Sequence, residues 1–120
     1  MTKILLVDDS FIARHGIKTL LSDHTFEVVE AKDGKEALDL IDQITPDLIL
    51  LDLLMPQPDG FKVLEELHKR DSSSPPVIIL SADIQSTTRD RCMALGAAGF
   101  LKKPPHRDSL ITSIMELTGQ

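Results

Sequence analysis

At 120 residues with 42% hydrophobic side chains, the chain has material for one compact core and too little for two ordinary domains. Its 13 basic residues against 19 acidic ones leave a formal net charge of −6, which repels phosphate backbones and argues against direct nucleic-acid binding by this domain. The single Cys92 rules out an internal disulfide and a multi-cysteine zinc site, and reads as a buried bystander thiol that fits a reducing compartment.

Met1-Thr2-Lys3 leads into an apolar run far too short for a signal peptide or a membrane span, so the protein is expected to be soluble and cytoplasmic. Lys3 to Val7 reads as a first strand, apolar nearly throughout and therefore expected to be covered on both faces. From about Ser10 to Leu21, the residues Ile12, Ala13, Gly16, Ile17, Leu20 and Leu21 recur at helical spacing and predict a single apolar stripe. Phe26 to Ala31 is a more polar strand suited to a position toward the sheet edge. Asp33 with Glu36 three residues on has the pattern of a capping box opening a second helix.

Asp47 to Leu51, preceded by Pro46, forms the third strand and runs directly into Asp52. Met55-Pro56-Gln57-Pro58-Asp59-Gly60 has the turn chemistry of a rigid loop, and Phe61, Val63, Leu64 and Leu67 mark the helix after it. Ser72-Ser73-Ser74-Pro75-Pro76 is a short connection rather than an interdomain linker. Val77 to Leu80 is a fourth strand ending at Ser81, and a polar helix from about Ser86 to Leu95 stops at Gly96. Gly99 to Leu101 supplies a short fifth strand. Lys103-Pro104-Pro105 then breaks the chain before a last amphipathic helix carrying Leu110, Ile111, Ile114 and Met115. The methionines are expected to fill core gaps, and His15, His24, His68 and His106 share no metal-binding spacing.

Strands alternating with helices predict an α/β domain over residues 1–120 with a parallel sheet. In such sheets ligands bind beyond the carboxyl ends of the strands, so the residues just past each strand matter most. Asp8 and Asp9 follow the first strand, Asp52 the third and Ser81 the fourth, while Lys103 lies just past the fifth. Each alone is ordinary, since acids cap helices and serines and lysines populate surfaces. Together they predict three carboxylates on one rim, whose mutual repulsion calls for a hard divalent cation with oxygen ligands. A carboxylate beside such a cation can attack phosphorus, with an ammonium offsetting charge on the phosphoryl oxygens.

The pattern resembles the response regulator receiver family. The resemblance runs from Val7-Asp8-Asp9-Ser10 through Asp52-Leu53-Leu54-Met55-Pro56 and Asp59-Gly60 to Ser81-Ala82 and Phe100-Leu101-Lys102-Lys103-Pro104, essentially the whole chain. It implies a flavodoxin-like doubly wound sheet of five parallel strands in the order 2-1-3-4-5 with five helices. It implies that Asp52 accepts a phosphoryl group from a histidine kinase or phosphotransfer protein. It further implies that Asp9, Asp52 and the backbone carbonyl of Leu54 bind magnesium, or manganese in its place, with Asp8 assisting. Lys103, which directly precedes the proline, matches the family lysine, and Lys102 is then a solvated neighbour. The Lys103-Pro104 bond resembles one that is cis in the family.

The family also implies a switch, in which Ser81 turns toward the phosphoryl group and Phe100 moves inward. The face of the fourth helix, fifth strand and fifth helix is thereby repacked for a target, as a monomer or a phosphorylation-linked dimer. Phe100 stands where tyrosine is commoner, and Pro105 where a bulky apolar residue is usual. Leu54 and Asp83 occupy positions that resemble those tuning dephosphorylation. Two other readings fit less well. A phosphohydrolase of the haloacid-dehalogenase kind carries its nucleophile on the first strand with a second Asp two residues later, whereas this chain has adjacent acids there. A receiver that has lost phosphorylation is disfavoured because all five polar positions are filled. A stand-alone regulator is expected slightly ahead of a receiver cut from a larger regulator or hybrid kinase.

Overall fold

A computed structural model describes residues 1–70 and 74–119. Ser72 and Ser73 of the expected connection lie outside the described residues. Five strands alternate with five helices: β1 (Thr2–Val7), α1 (Phe11–Leu21), β2 (Phe26–Ala31), α2 (Gly34–Ile44), β3 (Leu48–Asp52), α3 (Gly60–His68), β4 (Val77–Ser81), α4 (Ser86–Ala94), β5 (Gly99–Lys102) and α5 (Arg107–Thr118). All neighbouring strands are parallel in the order β2-β1-β3-β4-β5. The more polar β2 and the short β5 are the edges, as their weaker apolar content requires.

Central-strand side chains alternate between two cores. Ile4, Leu6, Leu48, Leu50, Ile78 and Leu80 pack with Ile17 and Leu21 of α1 and Leu110, Ile111 and Ile114 of α5. Leu5, Val7, Ile49, Leu51 and Ile79 face the other way, against α2, α3 and Cys92 of α4. The alternation follows from the two-residue period of a strand, and it decides which face each strand-end residue serves.

Local chemistry sets the ends. Ser10 is the N-cap of α1, its Oγ accepting from the Ala13 amide, so the helix proper begins at Phe11. The Asp33 and Glu36 pair caps α2 as expected on one arm, with the Glu36 amide donating to Asp33 Oδ1 at 2.8 Å. The return arm reaches the Lys32 amide instead of that of Asp33. Gly96 follows α4 with φ 89°, and the Ala97 amide donates to the Cys92 carbonyl, a left-handed stop that glycine adopts freely. Asp47 is not a strand residue: its carboxylate accepts from the Lys3 amide and its own amide donates to the Lys3 carbonyl.

One expectation is met without full burial, and another fails in part. The α1 stripe is apolar but only its second half is core: Ile17 and Leu21 are buried, while Ile12 is 82% exposed and Gly16 is open. Helical spacing identifies an apolar face without saying what covers it. Of the methionines, Met55 is buried and Met115 packs partly on the core, but Met1 and Met93 are exposed. Cys92 is buried, and burial pushes its thiol up from the ordinary value.

The loop after β3 has no slack. A Cβ on Gly60 would lie 2.2 Å from the Asp52 carbonyl oxygen, and one on Gly34 2.2 Å from that of Pro58, so only glycine permits these approaches. The Lys103-Pro104 bond is cis, and so is Gln57-Pro58.

Candidate functional site

The strand register places the acids. Val7 is level with Leu51, which sets Asp8 beside Asp52, and Asp52 is level with Leu80, so Ser81 lies one step further along. Asp8 and Asp52 share the pleat parity of Leu6 and Leu50 on the α1–α5 side. Lys103 has the parity of Leu101 on that same side. Ser81 and Phe100 have the opposite parity, and Phe100 packs half-buried against the α2–α3 core. Four loops thus deliver the groups that the sequence singled out to one place, in two sets.

Carboxylate oxygens of Asp8, Asp9 and Asp52 lie within 4.8 Å of one another. Asp8 and Asp52 are buried, whereas Asp9 is exposed at the mouth. Both oxygens of Asp8 are occupied: Oδ1 accepts from the Ser10 amide at 2.9 Å and Oδ2 from Lys103 Nζ at 2.5 Å. Lys103 Nζ also lies 3.6 Å from Asp52 Oδ1, and the Lys103 amide donates to the Ser81 carbonyl. Lys102 points into solvent. Ser81 Oγ accepts from the Asp83 amide at 3.0 Å. Leu54, two residues past Asp52, has an exposed side chain.

Electrostatics distinguishes these groups. Burial, then repulsion from Asp8, pushes the Asp52 carboxyl up to about 6, only partly countered by Lys103 and the Leu54 amide. Burial disfavours the Lys103 ammonium, but Asp8 and Asp52 outweigh it and hold its pKa above the ordinary value. Three carboxylates against one ammonium leave the pocket negative, and its donors are all oxygen. That donor set fits a hard divalent cation.

The profile of the response regulator receiver domain matches residues 4–115. The chain belongs to the response regulator receiver family. Chemotaxis protein CheY of Listeria monocytogenes is 36% identical over 115 residues, covering 95% of this chain and 96% of that protein. The transcriptional regulatory protein YdfI of Bacillus subtilis is 34% identical over 112 residues, but this chain spans only 52% of its length. Among solved structures, the receiver domain of Francisella response regulator 1452 superposes with a TM-score of 0.91 at 34% identity, covering 99% of this chain and 98% of that one. Chemotaxis protein CheY4 of Vibrio cholerae gives 0.88 at 30% identity, covering 98% of each. This receiver is therefore a phospho-switch of two-component signalling with an acidic site of Asp8, Asp9 and Asp52, rather than a true enzyme.

Sequence reasoning missed one side chain that bears on the site, Arg14, and named another, Asp83, without its structural role. Arg14 donates to the Asp8 carbonyl, and the Asp83 carboxylate ties the start of α4. A basic residue one turn into a helix after an acidic turn hints at the first, and an acid three residues before a helix hints at the second. Among the described residues, no helix is long and apolar enough to cross a membrane.

Proposed function

We propose that Asp52 is the phosphoacceptor, receiving a phosphoryl group from a histidine kinase or phosphotransfer protein with magnesium bound at the acidic cluster. The observation that carries this reading is the approach of Lys103 Nζ to both Asp8 and Asp52 where the three acids meet. Asp52 attacks phosphorus in line as the donor nitrogen departs, forming an acyl phosphate. The nucleophile must be ionised, which a carboxyl near pKa 6 is at neutral pH. Lys103 meets the growing negative charge on a phosphoryl oxygen. Asp8, Asp9, Asp52 and the Leu54 carbonyl would hold the cation, which neutralises phosphoryl charge when bound. Exposed Phe11, Ile12 and Leu54 flank the acids and offer the donor protein an apolar seat.

Ser81 and Phe100 form the readout. The Ser81 hydroxyl donates to a phosphoryl oxygen once one is present, and Phe100 repacks into the vacated space, altering the α4–β5–α5 face for a target or output domain. Incubating the intact chain with magnesium and a small phosphodonor or beryllofluoride tests the reading. A single adduct that disappears in Asp52→Ala is expected, and no adduct on the intact chain refutes it.

A further inference from the structure

The Asp8 backbone is held by a side chain that the chemistry above does not use. Arg14 Nη1 donates to the Asp8 carbonyl at 2.7 Å while Nε donates to Glu30 Oε1 at 3.0 Å, and the Arg14 side chain is only 13% exposed. Glu30 Oε2 also meets Lys18 Nζ at 3.2 Å. Partial burial pushes the Glu30 carboxyl up, but Arg14 and Lys18 outweigh that and hold it below the usual carboxylate range. The guanidinium carbon lies 5.8 Å from the Phe11 ring centroid. The Asp8 amide donates to Ala31 at the end of β2, so both backbone polar groups of Asp8 are tied to that strand, one directly and one through Glu30 and Arg14. The planar guanidinium serves the two acceptors from two nitrogens held at a fixed spacing, which a single ammonium nitrogen does not reproduce.

We propose that Arg14, locked by Glu30, is a positioning residue that fixes the Asp8–Asp9 turn so that its carboxylates face Asp52 and bind a divalent cation. The inference rests on the cation site proposed above. Charge and geometry predict opposite signs here. Removing the Arg14 guanidinium takes one positive charge from beside the Asp8 carbonyl and leaves Glu30 paired with Lys18 alone. By charge alone, Arg14→Gln would tighten magnesium binding. Loss of the clamp weakens it, as loss of partners that orient metal ligands does.

Calorimetric titration of the intact chain with magnesium chloride decides between them. Arg14→Gln is expected to weaken binding about tenfold. Arg14→Lys, which keeps the charge but loses the fork, is expected to do nearly the same and decides alone if Arg14→Gln does not fold. In the metal-free protein the Asp9 and Ser10 amides should exchange faster with solvent in either variant. A merely structural role would lower the melting temperature without moving the affinity of the folded protein. Unchanged or tighter binding in Arg14→Gln, or wild-type binding in Arg14→Lys, overturns the proposal. If the wild type itself binds no magnesium, the cation site is what fails. The exchange comparison then still decides the clamp: faster exchange supports it, and equal exchange sinks it.

Discussion

The two halves of the acidic site are built to different standards of rigidity. On the β1–β3 side, Asp8 has both carboxylate oxygens and both backbone groups engaged, and Asp52 ends a strand whose four preceding residues are fully buried. On the β4–α4–β5 side, α4 buries only Cys92, its N-cap Gln85 makes no side-chain cap, and β5 is only partly covered. Asp83 holds that helix start, accepting from the Gln85 amide and from Thr88 Oγ1, while its own amide leans on Ser81 Oγ. Arg91 over the Phe61 ring, at 3.9 Å, is a second tie. The difference teaches a division of rigidity: the half that carries Asp8 and Asp52 is locked into the core, and the half that carries Ser81 hangs on a few polar contacts, which suits the roles proposed for them above.

The sharpest way to break this contrast is to weaken both halves and compare. Leu50→Ala, beneath Asp52 on the same face, should cost about 3–4 kcal/mol of unfolding free energy, against about 1 kcal/mol for Cys92→Ala on α4. Equal costs in urea denaturation would erase the distinction. Next in size is Lys103→Ala, which removes the ammonium shared by Asp8 and Asp52. Its rate of phosphorylation by a small donor should fall about 100-fold, while the beryllofluoride-free fold is retained by circular dichroism.

Protonation sharpens the comparison further. Burial and then Asp8 raise the Asp52 carboxyl to about 6, so the folded, metal-free chain binds this proton more tightly than the unfolded chain does. The associated stability is fully present below the unfolded value near pH 4 and is lost as pH rises through about 6. Screening leaves about 1–2 kcal/mol of difference between wild type and Asp52→Asn across that window, measured by denaturant melts in a chelator. Added magnesium should flatten the wild-type curve at neutral pH. The smallest effect is expected from Thr88→Val, which cuts one tie of Asp83. Amides in the first turn of α4 should exchange about fivefold faster, with those of β3 unchanged. Matching changes in β3 would mean that the two halves are one unit.

Much of this was legible in the chain. Asp8, Asp9, Asp52, Ser81 and Lys103 stand at strand ends, and strand ends are visible as apolar runs that stop at polar residues. Where it was not, the causes are physical. Ile12 of the α1 stripe is exposed because apolar spacing is the same for a buried face and an open one, and only the packing of neighbouring elements separates them. Asp47 borders a strand in sequence yet spends its hydrogen bonds on Lys3, a residue forty-four positions away. Arg14 carries only a faint signal, a basic residue one turn into a helix, because its target is a backbone carbonyl, a group that every residue has.

The contact of Gly60 with the Asp52 carbonyl has a mechanical consequence. Since not even a methyl group fits between them, the start of α3 and the end of β3 meet without play, like meshed gears, and a shift of one is expected to carry the other. Gly34 against Pro58 meshes the second helix into the same train. On the reading proposed above, the response to phosphorylation is expected on the β4–α4–β5 side, where α4 buries one side chain and polar contacts hold its start.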